Sequence, residues 1–294
     1  MPKRTPLLSI LVLLGLLSVQ VPVYAQALVP YTLQLDAKEL EQQGLNLAQE
    51  AVQLVRFQQY DLALPRATLA AQLAPKTYQT WFILGSLYVQ NKELDKGIEA
   101  LQRAKALAPK EAGILFTLGS ARFQKAEYRA AIADLETGLR LKPNVPEALF
   151  DLGNSYYMLK QYPNAIAQYE KAVAQEKKFW PAINNMGLVK YEQGDVAGAM
   201  KHWQSAIDLD DEAAEPRLAS AVALYTRGER EKALALGEAA LGIDSRYADL
   251  KFLKENLWGD RLLADTKKFL EVPRIQGSIS RSQSQPVQIE TAPK

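Results

Sequence analysis

Few side chains in this 294-residue sequence could do covalent or metal chemistry: it has one histidine, His202, and no cysteine. A lone imidazole can serve as a base, but a triad or a metal centre needs oriented partners, and none are spaced to meet it. His202 stands beside Trp203 and reads as a structural or surface residue. The lack of cysteine removes disulfides, thiolate nucleophiles, Cys-ligated zinc and N-terminal Cys lipidation. Gly194-Asp195-Val196-Ala197-Gly198 is rich in glycine, yet no G-x-G-x-x-G, phosphate loop or H-E-x-x-H occurs. It reads as a turn followed by a helix cap. Asp208, Asp210, Asp211 and Glu212 lack the alternating oxygen spacing of a calcium loop and read as a solvated linker. The sequence thus implies no enzyme, no cofactor and no metal.

The bulk properties point the same way. Lys and Arg number 35 against 33 Asp and Glu. Without Lys3 and Arg4 the two classes number 33 each. Nucleic-acid binding needs a basic excess that displaces counterions, so no nucleic-acid partner is expected. Lys3 and Arg4 precede an uncharged apolar run, Leu7 to Val19, and then Val23-Tyr24-Ala25. This is the layout of a secretory signal peptide over residues 1–25, cleaved after Ala25. The run is short for a membrane span of about 20 residues. The alternative is an uncleaved N-terminal anchor, which would be the only membrane contact. Either places the rest of the chain across a membrane from the cytoplasm.

The elements that organise the chain announce themselves by a period. Residues 78–90 read YQTWFILGSLYVQ, and a blurred copy, EALFDLGNSYYML, spans 147–159. Stepping by 34 residues from the glycine meets Ala51, Gly85, Gly119, Gly153, Gly187 and Ala221. A second small site recurs as Ala63, Gly97, Ala131, Ala165, Ala199 and Ala233, and a third as Ala70, Ala104, Gly138, Ala172, Ala206 and Ala240. Pro75, Pro109 and Pro143 end the first three periods. Trp81, Leu84 and Tyr88 fall at i, i+3 and i+7, one face of a helix. A side chain trimmed to hydrogen or methyl lets two helices cross closely; a larger one overpacks, at about 1–3 kcal/mol.

Trp-x-x-Leu-Gly-x-x-Tyr with these small sites resembles the tetratricopeptide repeat family. The resemblance implies an all-α fold, an α-solenoid forming a right-handed superhelix of helix–turn–helix hairpins with a C-terminal capping helix. Six repeats are expected, at 44–77, 78–111, 112–145, 146–179, 180–213 and 214–247. A lead-in over 26–43 starts a helix at Asp36-Ala-Lys-Glu39. Leu250, Leu253 and Leu257, a turn at Trp258-Gly259-Asp260, and Leu262, Leu263 and Phe269 mark capping helices over 248–272. Residues 273–294 are polar and aperiodic and are expected to be disordered. Pro65 in the second helix of repeat 1 predicts irregular packing there, and Arg217 and Ser220 leave the first helix of repeat 6 weakly specified.

In this family, inward positions are five, nine and twelve of each repeat. Here they place Phe82, Phe116, Phe150 and Asn184 at five, Ser86, Ser120 and Asn154 at nine, and Phe123, Tyr157, Tyr191 and Tyr225 at twelve. Such an aromatic stripe suits a peptide or helix of another protein, although aromatics at five and twelve also pack between adjacent first helices. Some members grip chaperone C-termini with a Lys and Asn carboxylate clamp. Asn154 and Asn185 match its asparagines, but Phe150, Glu215 and Ala219 stand at the basic sites, so no clamp is expected. The function implied is a non-enzymatic protein-interaction scaffold outside the cytoplasm, serving assembly or maturation of a larger complex. A bridging role in an envelope export or polysaccharide-secretion apparatus, or groove binding of a small molecule or sugar, are the alternatives. ENLWGDRLLADTKKFL together with the leader resembles exported repeat proteins of cyanobacteria, which implies periplasm or thylakoid lumen.

Overall fold

The computed structural model describes residues 36–284, so the expected signal peptide and residues 285–294 lie outside the described residues. The chain divides into two units, Met1–Ala37 and Lys38–Lys294, and the helical array occupies the second. Its described residues form α-helices and no strand. Six antiparallel pairs come first: α1 (Ala37–Arg56) with α2 (Tyr60–Leu73), α3 (Tyr78–Gln90) with α4 (Leu94–Leu107), α5 (Ala112–Gln124) with α6 (Tyr128–Leu141), α7 (Pro146–Met158) with α8 (Tyr162–Gln175), α9 (Trp180–Glu192) with α10 (Val196–Leu209), and α11 (Ala214–Thr226) with α12 (Arg230–Ile243). A 3-10 turn (Ser245–Ala248) leads to α13 (Leu250–Glu255), α14 (Asp260–Leu270) and α15 (Pro273–Ser284). Every second helix has 14 residues, and every first helix after α1 has 13. The period read from the sequence is the period of the helices.

The small sites explain why. All three residues of each set, in every repeat, are buried. A Cβ on Gly85 would lie 2.7 Å from Leu101 Cγ, 3.0 Å from the Leu101 nitrogen and 3.1 Å from the Gly97 carbonyl oxygen. The backbones of α3 and α4 therefore touch through their glycines. In the following repeats a bulky group covers the same glycine: Leu135 over Gly119, Tyr169 over Gly153 and Trp203 over Gly187. Large against hydrogen at a fixed level is how one layer interdigitates with the next.

Each pair is joined by a turn with one residue in the left-handed region. Gln58, Lys92, Ala126, Lys160, Gly194 and Gly228 hold it, again 34 apart. Only the last two are glycine, for which this conformation is free of Cβ strain. The Gly194-Asp195 motif is thereby explained: Gly194 turns the chain at φ +88°, and Asp195 caps α10 by accepting from the Gly198 N–H at 2.8 Å.

Three expectations change. Repeat 1 is regular: α2 runs unbroken through Pro65, whose ring is exposed. Glu50, at an apolar site of later repeats, is paired on the surface with Arg66 at 3.2 Å. The first helix of repeat 6 is firmly specified, with Leu218, Ala219, Ala221, Val222 and Ala223 all fully buried, because the C-terminal segment covers it. The tail expected to be disordered begins instead as α15. Ile275 is buried against the last repeat, and Arg274 binds Glu238 at 2.7 Å and Glu231 at 3.2 Å.

Two substitutions test this frame. Gly228→Ala would place a methyl where nothing lies within 4 Å, so any loss is backbone strain alone. It is expected to cost about 1 kcal/mol, and Ala126→Gly to gain a similar amount, in urea unfolding. Gly85→Ala pushes against backbone atoms that cannot give way and is expected to cost about 1–3 kcal/mol by the same measurement.

Candidate partner-binding surface

The structure divides the expected contact residues, which stand on the first helices, into two groups. Phe82, Ser86, Phe116, Ser120, Phe123, Phe150 and Tyr225 are half-buried. Asn154, Tyr157, Asn184 and Tyr191 are buried, which takes them off the free surface of the chain as it stands.

The phenylalanines do two jobs. Phe116 lies over Gly138 of its own second helix, so close that a Cβ there would come within 2.6 Å. Phe150 meets Phe179 edge-on at 5.4 Å and Tyr169 at 5.8 Å. Phe123 meets Tyr128 at 5.5 Å. These rings join neighbouring helices and leave their remaining edges to the inner face. Ser86 donates to the Phe82 carbonyl oxygen at 2.8 Å.

Beside Phe150 stands Asp151, which the repeat pattern does not single out. This carboxylate is half-buried, accepts a hydrogen bond from Ser120 on α5, and forms no ion pair with any described residue. Burial pushes its pKa up to about 6. On the same helix as Ser120, Arg122 binds the buried Asp134 at 2.6 Å, and Lys105 binds it at 2.8 Å.

The buried polar residues form a network. Tyr169 and Asn185 both donate to Asn154 Oδ1, at 2.7 and 2.9 Å, and Asn184 donates to Asn185 Oδ1 at 3.1 Å. Asn154 and Asn185 thus use their amide groups on their own neighbours. Glu215, buried on α11, accepts from the Trp258 indole N–H at 2.8 Å. Burial lifts its pKa to about 7, so it holds a proton well above the usual carboxylate range. His202 is half-buried, and burial lowers its pKa. Among the described residues no cluster of His, Asp and Glu is fit to hold a metal ion.

The tyrosine row has an occupant: the chain's own C-terminal segment. α14 packs on α9 and α11, the first helices of repeats 5 and 6. Tyr191 donates to Asp265 at 2.9 Å, and Tyr225 meets Phe269 edge-on at 5.5 Å. Glu192 accepts from the backbone N–H groups of Arg261 and Leu262, at 3.2 and 3.0 Å, closing the α14 N-terminus. Phe269 fills the hole above Gly237, where a Cβ would lie 2.5 Å from its ring. Repeats 2 to 5 carry Leu101, Leu135, Tyr169 and Trp203 at that place, and repeat 6 takes its ring from α14 instead. The signal was present in the sequence: a missing large residue at 237, and Leu262, Thr266 and Phe269 on one helical face. Nothing local said the two belong together.

Solved structures support the same architecture. The chain is similar to a MamA protein at 24% identity, covering 60% of this chain and 95% of that one with a TM-score of 0.54. It is similar to Pseudomonas aeruginosa pilF at 15% identity, covering 75% and 98% with a TM-score of 0.61. It is similar to YrrB, described as a TPR protein with an unusual peptide-binding site, at 19% identity, covering 69% and 97% with a TM-score of 0.50. No curated protein matches the chain. The tetratricopeptide repeat model matches residues 49–112, 116–179 and 184–248. With that match laid over six helix pairs in one register, the chain belongs to the tetratricopeptide repeat family.

Proposed function

We propose that this chain is a non-enzymatic scaffold that holds a peptide or helix of another protein against the inner face of repeats 2 to 4, outside the cytoplasm, in the assembly or maturation of a larger complex. One observation carries the reading: the same inner face, in repeats 5 and 6, already seats an amphipathic helix of the chain itself. That seat uses aromatic edges for apolar anchors and an acidic side chain for the helix N-terminus. The continuation into repeats 2 to 4 offers half-buried Phe82, Phe116, Phe123 and Phe150, with the Asp151 carboxylate among them. A partner segment with apolar anchors and one Lys or Arg opposite Asp151 matches it. YrrB supplies a precedent for peptide binding by a fold of this kind. Export is inferred from the leader-like Lys3 to Ala25 segment.

A photo-crosslinking residue at Ser86 or Ser120 is expected to capture one partner in native cells, and the same residue at Glu170, exposed on a second helix, to miss it. Asp151→Asn is expected to weaken capture about tenfold, the worth of a charge-assisted bond, with folding retained. The Asp151 carboxyl titrates near pH 6, raised from 3.8. Its contribution to stability is present below pH 3.8 and lost as pH rises through 6, whereas attraction for a cation grows over the same interval. Capture should therefore be stronger at about pH 7.5 than at about pH 5, and flat in Asp151→Asn. Equal capture from Glu170, or an unchanged pH profile in the variant, sinks the groove assignment. A cytoplasmic chain with residues 1–25 intact sinks the export assignment.

A further inference from the structure

Glu215 is a buried acid placed where the C-terminal segment closes on the array. It stands on α11 and is only 9% exposed. The Trp258 indole N–H, from the turn just before α14, donates to it at 2.8 Å. The other side chain that meets it is Asn184 on α9. α9 and α11 are the first helices that α14 covers, so this carboxyl joins both to the covering segment. Among the described residues it forms no ion pair. Arg217, on the same helix, bonds the Asp211 carbonyl oxygen, and Arg246 of the 3-10 turn pairs with Asp244. On α14, Asp265 meets Tyr191 and Lys268, and on α12, Glu231 and Glu238 meet Arg274. His202 on α10 feels Lys190, Glu170 and Asp195. Tyr247 of the 3-10 turn does feel the Glu215 charge, which adds to burial in keeping its phenol neutral. A carboxylate ionised in such a place loses its hydration and gains no opposite charge. The neutral acid fits better. Its O–H needs an acceptor, and the Oδ1 of neighbouring Asn184 is buried without a partner.

We propose that the contact between Glu215 and Trp258 is a proton-dependent latch: the neutral carboxyl holds α14 over repeats 5 and 6, and its ionisation loosens that segment and bares Tyr191 and Tyr225. Burial raises the Glu215 pKa from 4.5 to about 7 in the closed state. The stability this lends the closed segment is therefore fully present below pH 4.5 and is lost as pH rises through 7. The latch concerns repeats 5 and 6, and it stands or falls separately from the binding surface of repeats 2 to 4.

The chain has no cysteine, so a single Thr266→Cys on α14, at a fully buried position, reports the opening. Its labelling by dithiodipyridine is followed from about pH 5 to about pH 7.5, each rate divided by that of the same chain unfolded in urea at the same pH. The corrected rate is expected to rise by up to about tenfold per pH unit until pH 7 and then to level off. Thr80→Cys, equally buried in repeat 2, is expected to stay flat, which separates a local opening from unfolding of the whole array. Adding Glu215→Gln to Thr266→Cys is expected to abolish the rise, because the side chain keeps its acceptor and cannot ionise. A carbon-13 NMR titration of the Glu215 carboxyl in the unmodified chain carries the test if that variant does not fold, with a midpoint near 7 expected. A rise that persists in Glu215→Gln, an equal rise at Thr80→Cys, or a carboxyl midpoint at the ordinary value of 4.5 overturns the proposal.

Discussion

Everything in this molecule depends on the contact between a trimmed side chain on one helix and a large one on the next, repeated at equal steps. Where Gly85 faces Gly97, two backbones approach to van der Waals distance. Where Gly153 and Gly187 face Tyr169 and Trp203, a ring takes the space. A single hairpin cannot cover its own apolar stripe, so stability is close to a sum over neighbouring contacts. That makes the array tolerant of local change, as Pro65 in α2 and Glu50 in α1 show. Both are exposed in the first repeat.

The same rule explains how the array ends. Repeat 6 keeps its small sites but lacks the large residue, having Gly237 in its place. Phe269 on α14 enters the vacancy, and Ile275 on α15 sits beside it. The closing segment does more than shield an edge. α15 covers the outer helix of the last repeat, while α14 turns inward onto the tyrosine row. The first helices thus differ along the array: those of repeats 5 and 6 are covered by α14 and held by Tyr191, Glu192 and Glu215, whereas those of repeats 2 to 4 carry half-buried phenylalanines and Asp151.

This division gives the polar residues their meaning. Asn154, Asn184 and Asn185 are buried on first helices, and their amides bond to one another and to Tyr169. Asp151 and Glu215 are the two acids with raised pKa values on the inner face, both through burial. Glu215 is closed off by Trp258, whereas Asp151 stays half-buried beside the open rings.

The fold was legible in the sequence because its cause is local and periodic: small residues 34 apart dictate where helices cross, and those residues are visible one at a time. The helix pairs, their register and the turn at Gly194 all come from that pattern. That Phe82, Phe116 and Phe150 share one register position was legible for the same reason. Which inward residues remain free was not. Tyr157 and Tyr191 have the same spacing as Phe123 yet are buried, and the C-terminal segment borders both, with Asp265 meeting Tyr191 across 74 residues of chain. The helix over 273–284 was likewise hidden, since its polar sequence gains its order from Ile275 and Arg274 meeting the last repeat. The sequence by itself determined the repeated helix pair; the tertiary structure decided how much of its inner wall was left open, because burial depends on what arrives from far along the chain.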